Sequence, residues 1–160
     1  MAIEVGSKIP NMQLTVVVNG EDKESAASEL LGNGKVILFG LPGAFTPTCS
    51  DYHLPGFVMH AQELKEKGVA TIACLSVNDA FVMSAWGRSQ NVEDHVVLIA
   101  DGNAEFTKAL GLDMDATSFG MGIRSKRFAM VLQDGIVTHL AVEPGSGLEV
   151  SSAEALLAVV

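Results

Sequence analysis

The chain has 160 residues, of which 48% are hydrophobic, and a formal net charge of −9 at pH 7. These values predict a single globular domain over residues 1–160 and exclude a disordered chain. The negative charge argues against a general nucleic-acid-binding protein, which normally carries a basic surface. We expect no membrane partner, because no apolar stretch is long enough to span a bilayer and residues 1–6 lack the features of a secretory signal.

Cysteine usage narrows the class further. Cys49 and Cys74 are the two cysteines of the sequence. Two cysteines cannot build a disulfide-stabilised scaffold, so a reducing compartment is favoured and we expect a cytoplasmic protein. We expect no cofactor and no metal ion, because no set of Cys and His residues has the spacing of a metal-binding motif.

The first predicted elements are strands. Residues 14–18 (LTVVV) predict a strand that ends at Asn19-Gly20, a dipeptide typical of a hairpin turn into a short edge strand. Residues 35–39 (KVILF) are apolar without alternation, which is typical of a central strand covered on both faces. The chain therefore begins with a predicted hairpin and continues into a buried strand.

A loop rich in glycine and proline follows this strand and leads into a helix that carries Cys49. Thr46 suits the N-cap of that helix and Pro47 suits its first position. Cys49 would then lie among the free N–H groups at the positive end of the helix, where the thiolate form is favoured. We expect the helix to break or kink at residues 55–56 (PG) and to resume over 57–67.

The second half of the chain alternates strands and helices and ends in a hairpin and a helix. Residues 128–132 and 136–142 flank an Asp-Gly turn, a strong hairpin signal. Residues 151–154 (SSAE) resemble a capping box that opens a last helix reaching Val160. The other predicted elements are strands over 69–77 and 96–100 and helices over 79–90 and 104–110. This order predicts an α/β sandwich with a mixed sheet.

Several ordered motifs resemble one family. Residues 42–49 (PGAFTPTC) resemble the active-site loop P-x-x-x-T-x-x-C of the peroxiredoxins, and residues 53–57 (HLPGF) extend the likeness to the type II subfamily, or peroxiredoxin V group. Residues 74–82 (CLSVNDAFV), 86–88 (WGR) and 126–128 (KRF) match the same group. The matches cover nearly all of the chain.

This resemblance implies a fold and an activity. The fold would be thioredoxin-like, with a mixed central sheet flanked by helices and an N-terminal β-hairpin extension. The activity would be that of a thiol peroxidase that reduces hydrogen peroxide, alkyl hydroperoxides and often peroxynitrite, in a non-covalent homodimer. By the matching motifs, Cys49 would be the peroxidatic cysteine and Arg127 the active-site arginine, and Thr46 and Pro42 would complete the site.

These residue types suit the chemistry of peroxide reduction. The reaction is a nucleophilic displacement at oxygen, which needs a thiolate at Cys49 and a peroxide held in line with it. The Arg127 guanidinium would stabilise the thiolate without losing its own proton. The Thr46 hydroxyl could orient the substrate, and Pro42 would limit water near the sulfur. The product, a Cys49 sulfenic acid, must be reduced by a second thiol.

The second thiol is open at this point. Cys74 lies in an apolar strand, where a buried and inert thiol is the default, but it could also resolve oxidised Cys49. Val150 stands where another branch of the family has its resolving cysteine, which excludes that branch's intramolecular disulfide. Residues 120–125 (GMGIRS) resemble the plant and bacterial branch, which implies glutaredoxin, glutathione or thioredoxin as the reductant.

Other interpretations of the same residues stay open. Arg127 could be a surface ion-pair residue, and Arg124 could pair with an acidic neighbour or support the site. His53, four residues after Cys49, could indicate a cysteine protease or a metal site, but we interpret it as a structural part of the HLPG segment.

Two rival functions remain. A thioredoxin-like disulfide oxidoreductase would normally carry a C-x-x-C motif, which this sequence lacks. A binding or chaperone module on the same fold would need no reactive site, and the intact set of Thr46, Cys49 and Arg127 argues against it.

Overall fold

The computed structural model describes residues 2–145 and 147–160. The strands are β1 (Gln13–Val18), β2 (Glu21–Ala26), β3 (Lys35–Gly40), β4 (Val69–Ser76), β5 (Val97–Ala100), β6 (Asp113–Asp115), β7 (Ile123–Ser125), β8 (Phe128–Gln133) and β9 (Ile136–Val142). The α-helices are α1 (Ala27–Leu31), α2 (Leu54–Met59), α3 (Ala61–Glu66), α4 (Ala80–Ser89), α5 (Glu105–Leu110) and α6 (Ala153–Leu157). A π-helical turn covers Cys49–His53, and a 3₁₀ turn covers Thr117–Phe119.

Seven strands form one mixed sheet in the order β2-β1-β5-β4-β3-β8-β9. The three central strands β5, β4 and β3 are parallel, and the two hairpins β1-β2 and β8-β9 extend the sheet on either side in antiparallel fashion. Strands β6 and β7 pair separately. This arrangement confirms the predicted thioredoxin-like mixed sheet with an N-terminal hairpin extension.

The hydrophobic core has one layer on each face of the sheet. Ile37 and Phe39 of β3 point to the layer under α2, α3, α4 and α6, whereas Val36 and Leu38 point to the layer under α1 and α5. All four side chains are fully buried, which explains why the strand shows no polar alternation. Fully burying a side chain of this kind stabilises the fold by about 1.5–3 kcal/mol. The site therefore stands on a rigid central strand.

Both predicted hairpins form, and their turns show why these dipeptides were informative. Asn19 and Gly20 have φ angles of 52° and 82°, and Asp134 and Gly135 have φ angles of 51° and 83°. Two successive positive φ angles are the requirement of a type I′ turn, which Asn-Gly and Asp-Gly meet at low cost.

That residues 1–160 form a single domain stays a prediction.

The predicted helix break at Pro55-Gly56 is wrong. Helix α2 runs through both residues, and the interruption falls at His60 instead. Pro55 lies in the first turn of α2, where a missing N–H is tolerated. The helix is also wider in the preceding π-helical turn, because the N–H of Leu54 donates to the carbonyl of Cys49, five residues back.

The predicted capping box is also wrong by one residue. Ser152, not Ser151, caps α6, since its hydroxyl accepts a hydrogen bond from the N–H of Ala155 at 3.1 Å. The Ser151 hydroxyl instead donates to the carboxylate of Glu143 at 2.7 Å. Helix α6 ends at Leu157, short of the last residue.

The sequence analysis missed α1, β6 and β7, which are too short to show a hydrophobic period. In the part of the chain that the structure describes, no helix has both the length and the apolar character needed to cross a membrane.

His60 joins the C-terminal helix to the body of the fold. Its Nδ1 lies 2.9 Å from a Glu63 carboxylate oxygen in α3, and its Nε2 lies 3.1 Å from a Glu154 oxygen in α6. Carboxylates only accept hydrogen bonds, so both ring nitrogens donate when the imidazole is protonated. The hydrogen bond to Glu63 is the main reason that the pKa of His60 is raised above 6.5, against the effect of partial burial.

We expect His60→Gln to lower the free energy of unfolding below pH 6.5, by about 1 kcal/mol or less. A folded-state pKa above the unfolded value makes the His60 contribution complete below the unfolded pKa, and it is lost as the pH rises through the folded pKa. Denaturant titrations of both proteins between pH 6 and pH 9 would measure this. Equal stability at every pH would contradict the ion pairs.

Candidate active site

Cys49 and Arg127 are brought together by the register of two strands. In the antiparallel pair β3-β8, Gly40 at the end of β3 lies opposite Phe128 at the start of β8. Arg127, just before Phe128, therefore lies beside the loop that leaves β3 toward Cys49. Gly40 makes this approach feasible, because a Cβ there would collide with the Phe128 ring.

The Arg127 guanidinium contacts the Cys49 sulfur directly. Its Nη2 donates to Sγ at 3.2 Å, and Cys49 is fully buried while Arg127 is 5% exposed. Its Nη1 donates to Nδ1 of His53 at 2.9 Å. Its Nε is buried and has no hydrogen-bond partner among the described residues. The guanidinium is permanently charged, so it places a fixed positive charge at this sulfur.

His53 is a buried part of this site, beyond the structural role that its segment indicated. Burial, and then the neighbouring Arg127 charge, lower the pKa of His53 to about 3, so the ring is neutral. Its Nε2 lies 2.9 Å from the carbonyl oxygen of Ser151. Because Arg127 can only donate and a carbonyl can only accept, the proton is on Nε2 and Nδ1 is the acceptor. The four-residue spacing from Cys49 was the signal in the sequence that could place His53 on the same side of the helix as the cysteine.

Glu143 anchors the turn that carries the Ser151 carbonyl. One of its carboxylate oxygens, Oε2, accepts from the backbone N–H groups of Glu149, Val150 and Ser151 at 2.9, 2.8 and 2.8 Å, and from the Ser151 hydroxyl at 2.7 Å. Burial alone raises the pKa of Glu143, but the hydrogen bonds from Ser151 and the backbone outweigh it and lower the pKa. The family matches in the sequence reach Glu143, but the sequence analysis did not identify it as a residue of the site.

Thr46 holds the N-cap position, but its side chain does not cap the helix. The Thr46 carbonyl accepts from the N–H of Ser50 at 2.9 Å, as the first helical bond requires. Its hydroxyl donates instead to the carbonyl of Gly43 at 2.7 Å. The predicted capping role of the Thr46 hydroxyl is therefore wrong, and its oxygen lone pairs remain able to accept a hydrogen bond.

Two polar side chains hold the rest of the loop. Nη1 of Arg124 donates to the Pro42 carbonyl at 3.2 Å, so Arg124 supports the site. A Cβ at Gly43 would lie 2.5 Å from the same nitrogen, which explains the glycine. The N–H of Ala44 donates to Oδ1 of Asn78 at 3.0 Å. The structure thus brings the four predicted site residues into one loop-and-arginine arrangement, while their catalytic roles stay predictions.

Comparison with known proteins shows the family. The Redoxin family model matches residues 4–157. The chain is 48% identical to peroxiredoxin-2B of Arabidopsis thaliana, over 97% of this chain and 96% of that protein. It is 47% identical to the chloroplastic peroxiredoxin-2E of the same plant, over 98% of this chain and 68% of that protein. The crystal structure of reduced Prx3 in complex with H₂O₂ from Vibrio vulnificus superposes with a TM-score of 0.91 at 50% identity, over 98% of each chain.

The chain belongs to the peroxiredoxin family.

This membership confirms the predicted thioredoxin-like fold, and it confirms the predicted activity of a thiol-dependent peroxidase. Peroxiredoxins reduce peroxides with thiol reductants and often form dimers. A C-x-x-C disulfide oxidoreductase and a non-catalytic module are thereby both disfavoured for this chain.

Cys74 lies in this peroxiredoxin as a buried thiol of the central sheet. It occupies β4 opposite Phe39 of β3, and both it and Cys49 are free cysteines. Burial, and then the charge of Cys49, raise the pKa of Cys74 well above its ordinary value. A thiol that stays protonated is a poor nucleophile, so this environment fits a structural residue better than a resolving one.

One group of metal-ligating side chains stands apart from this site. Within residues 2–145 and 147–160, the exposed side chains of Glu93, Asp94 and His95 bring one ligand atom each within 4.8 Å of one another. Exposed acidic groups of this kind are common on protein surfaces.

We expect Arg127→Ala to slow the reaction of Cys49 with hydrogen peroxide about 30- to 1,000-fold, because it removes the charged donor to the sulfur. This range corresponds to an activation barrier that is higher by about 2–4 kcal/mol. The rate in Arg127→Lys should lie between those of the wild type and Arg127→Ala, because one ammonium group cannot donate to both Cys49 Sγ and His53 as the planar guanidinium does. Stopped-flow oxidation would measure the rates, with Arg88→Ala, an exposed arginine, as the control. A wild-type rate in Arg127→Ala would show that the arginine has no part in the chemistry.

Proposed function

We propose that Cys49 is the peroxidatic cysteine of this peroxiredoxin, that Arg127, Thr46 and Pro42 form the rest of its catalytic site, and that hydrogen peroxide, alkyl hydroperoxides and peroxynitrite are its substrates. The observation that carries this proposal is the 3.2 Å contact between Arg127 Nη2 and Cys49 Sγ. The buried Nε of Arg127 supports it, because an unpartnered buried donor is costly until an acceptor such as a peroxide oxygen arrives.

The chemistry follows from the direction of the hydrogen bonds. The Cys49 thiolate attacks one peroxide oxygen, and an S–O bond forms as the O–O bond breaks. With hydrogen peroxide or an alkyl hydroperoxide the leaving oxygen takes up a proton and departs as water or an alcohol, and with peroxynitrite the leaving group is nitrite. Arg127 N–H groups stabilise the charge that develops on the oxygens. Because the Thr46 hydroxyl donates its proton to the Gly43 carbonyl, its oxygen lone pairs stay free to accept the peroxide proton.

A buried sulfenic acid restricts how the enzyme is recycled. Cys49 has no exposed surface, so an external thiol reaches it only when the start of the helix opens. The π-helical turn Cys49–His53 is the segment that would open. Cys74 lies in a central strand, which moves only by wider unfolding. We therefore favour an external thiol, glutathione or glutaredoxin, with thioredoxin as the next choice.

This route of recycling has a consequence for location. An external-thiol cycle needs a reducing compartment, and we propose the cytoplasm. Cell fractionation followed by immunodetection of the chain would test this, and recovery from an oxidising compartment would contradict it.

We expect Cys49→Ser to abolish peroxide reduction and Cys74→Ser to retain most of it, because Cys49 is the cysteine whose sulfur accepts a hydrogen bond from Arg127. One equivalent of peroxide without reductant should leave a sulfenic acid that a dimedone-type probe traps, in the wild type and in Cys74→Ser alike. Mass spectrometry and turnover assays would measure both outcomes.

The controls separate the alternatives. Substantial peroxidase activity in Cys49→Ser would refute the assignment of the nucleophile. Rapid, near-complete formation of a Cys49–Cys74 disulfide would instead identify an intramolecular two-cysteine enzyme. Turnover with glutathione plus glutaredoxin, compared with thioredoxin plus its reductase, would decide the external reductant.

We also propose a non-covalent homodimer through the surface around the active-site loop. Three aromatic side chains on segments near this loop, Phe45, Phe81 and Phe119, are 55%, 88% and 81% exposed. Large exposed aromatic side chains are typical of interaction surfaces. Sedimentation of Phe119→Glu against the wild type would test this, and an unchanged assembly state would exclude the Phe119 surface.

A further inference from the structure

We infer that Glu143 is a positioning residue for peroxide reduction, acting through the turn at 149–151 and His53 on the orientation of Arg127 at Cys49. This inference rests on the proposed function, since it concerns the same site. Glu143 touches neither the sulfur nor the space where a peroxide would bind. Its effect must therefore pass through the side chains between them.

The first step is the capture of the turn. Four donors converge on the single oxygen Oε2 of Glu143 at 2.7–2.9 Å, and three of them are consecutive backbone N–H groups. Glu143 is 7% exposed, so water competes little for these bonds. Hydrogen bonds to a charged acceptor are about twice as strong as neutral ones, so the carboxylate determines the conformation of the turn.

The second step is the transfer of this order to His53. The turn presents the Ser151 carbonyl to Nε2 of His53 at 2.9 Å. The ring is fully buried and neutral, so its tautomer depends on which nitrogen finds an acceptor. With the Ser151 carbonyl in place, the proton stays on Nε2 and Nδ1 stays free to accept from Arg127. If the carbonyl moves, the ring can exchange tautomers, and Arg127 loses its acceptor.

The third step is the orientation of the guanidinium. Arg127 holds Cys49 with Nη2 and His53 with Nη1, so the His53 bond sets the angle of the planar fork toward the sulfur. The backbone closes the loop of contacts, because the N–H of Glu143 donates to the Arg127 carbonyl at 2.9 Å. Glu143 thus restrains Arg127 from both ends, by its main chain and through the side-chain path.

The test compares variants that separate charge from position. Glu143→Ala removes the acceptor and should slow peroxide oxidation of Cys49 by about 10- to 100-fold, the range expected when a reacting group is slightly misplaced. Glu143→Gln keeps an acceptor oxygen at the same length and should recover most of the rate. Glu149→Ala lies in the same turn, contributes only its backbone N–H, and is the matched control.

A spectroscopic measurement distinguishes positioning from a structural role. Nitrogen NMR of ¹⁵N-histidine protein should show His53 as the neutral Nε2–H tautomer in the wild type, Glu143→Gln and Glu149→Ala. It should show a tautomer mixture in Glu143→Ala. If Glu143→Ala does not fold, Glu143→Asp replaces it, because it keeps the charge but is one methylene too short to reach all four donors. Glu143→Asp should then show both the slower rate and the mixed tautomer.

The outcomes separate this inference from the proposed function. A wild-type rate and an unmixed tautomer in Glu143→Ala or Glu143→Asp would overturn it. A slow rate with an unchanged His53 tautomer would also overturn it, because the path through His53 would be unused. If the wild type failed to oxidise at Cys49, the proposed function itself would fail, and the His53 tautomer would still report whether Glu143 orders the ring.

Discussion

The buried positive charge of Arg127 is the constraint on which the site depends. A guanidinium removed from water is costly unless its donors find acceptors, and the penalty amounts to several kcal/mol for an ion in the interior of a protein. Among the described residues, no carboxylate forms an ion pair with Arg127. Its side-chain acceptors are the Cys49 sulfur and a neutral imidazole. Burial of the guanidinium is therefore compensated by the sulfur and the imidazole, which links the folding of the site to the contact between Arg127 and Cys49.

The neighbouring carboxylate is kept at a distance for a related reason. Glu143 is connected to Arg127 through Ser151 and His53 and does not contact the guanidinium. A direct ion pair would neutralise the positive charge that the proposed reaction at Cys49 needs. The neutral His53 ring transmits orientation without supplying a competing negative charge. The Arg127 guanidinium is thus held in place by hydrogen bonds, and among the described residues no carboxylate neutralises its charge.

The proposed cycle needs a site that is rigid during the reaction and that opens afterwards. Its rigid part is the central strand β3, with Phe39 stacked on Phe57 at a ring distance of 4.0 Å and tilted against His53 at 4.9 Å. Its weaker part is the π-helical turn, in which the hydrogen bonds follow an uncommon pattern. Trp86 donates to the Ser50 hydroxyl at 2.9 Å and holds this turn against α4. In the proposed cycle with an external thiol, the π-helical turn opens while β3 stays intact.

The sequence by itself determined the features that depend on residues adjacent in the chain. The Asn-Gly and Asp-Gly turns, the apolar strand at 35–39, and the loop with Thr46 and Cys49 follow from local backbone and side-chain chemistry, and the ordered motifs were sufficient for the family. Only the tertiary structure decided which distant groups meet. The β3-β8 register places Arg127 against a sulfur that lies 78 residues earlier, and four donors to Glu143 divert Ser151 from the helix cap that its own sequence pattern predicts. Long-range hydrogen bonds to buried charges outweigh a local capping preference, and no pattern within one segment encodes them.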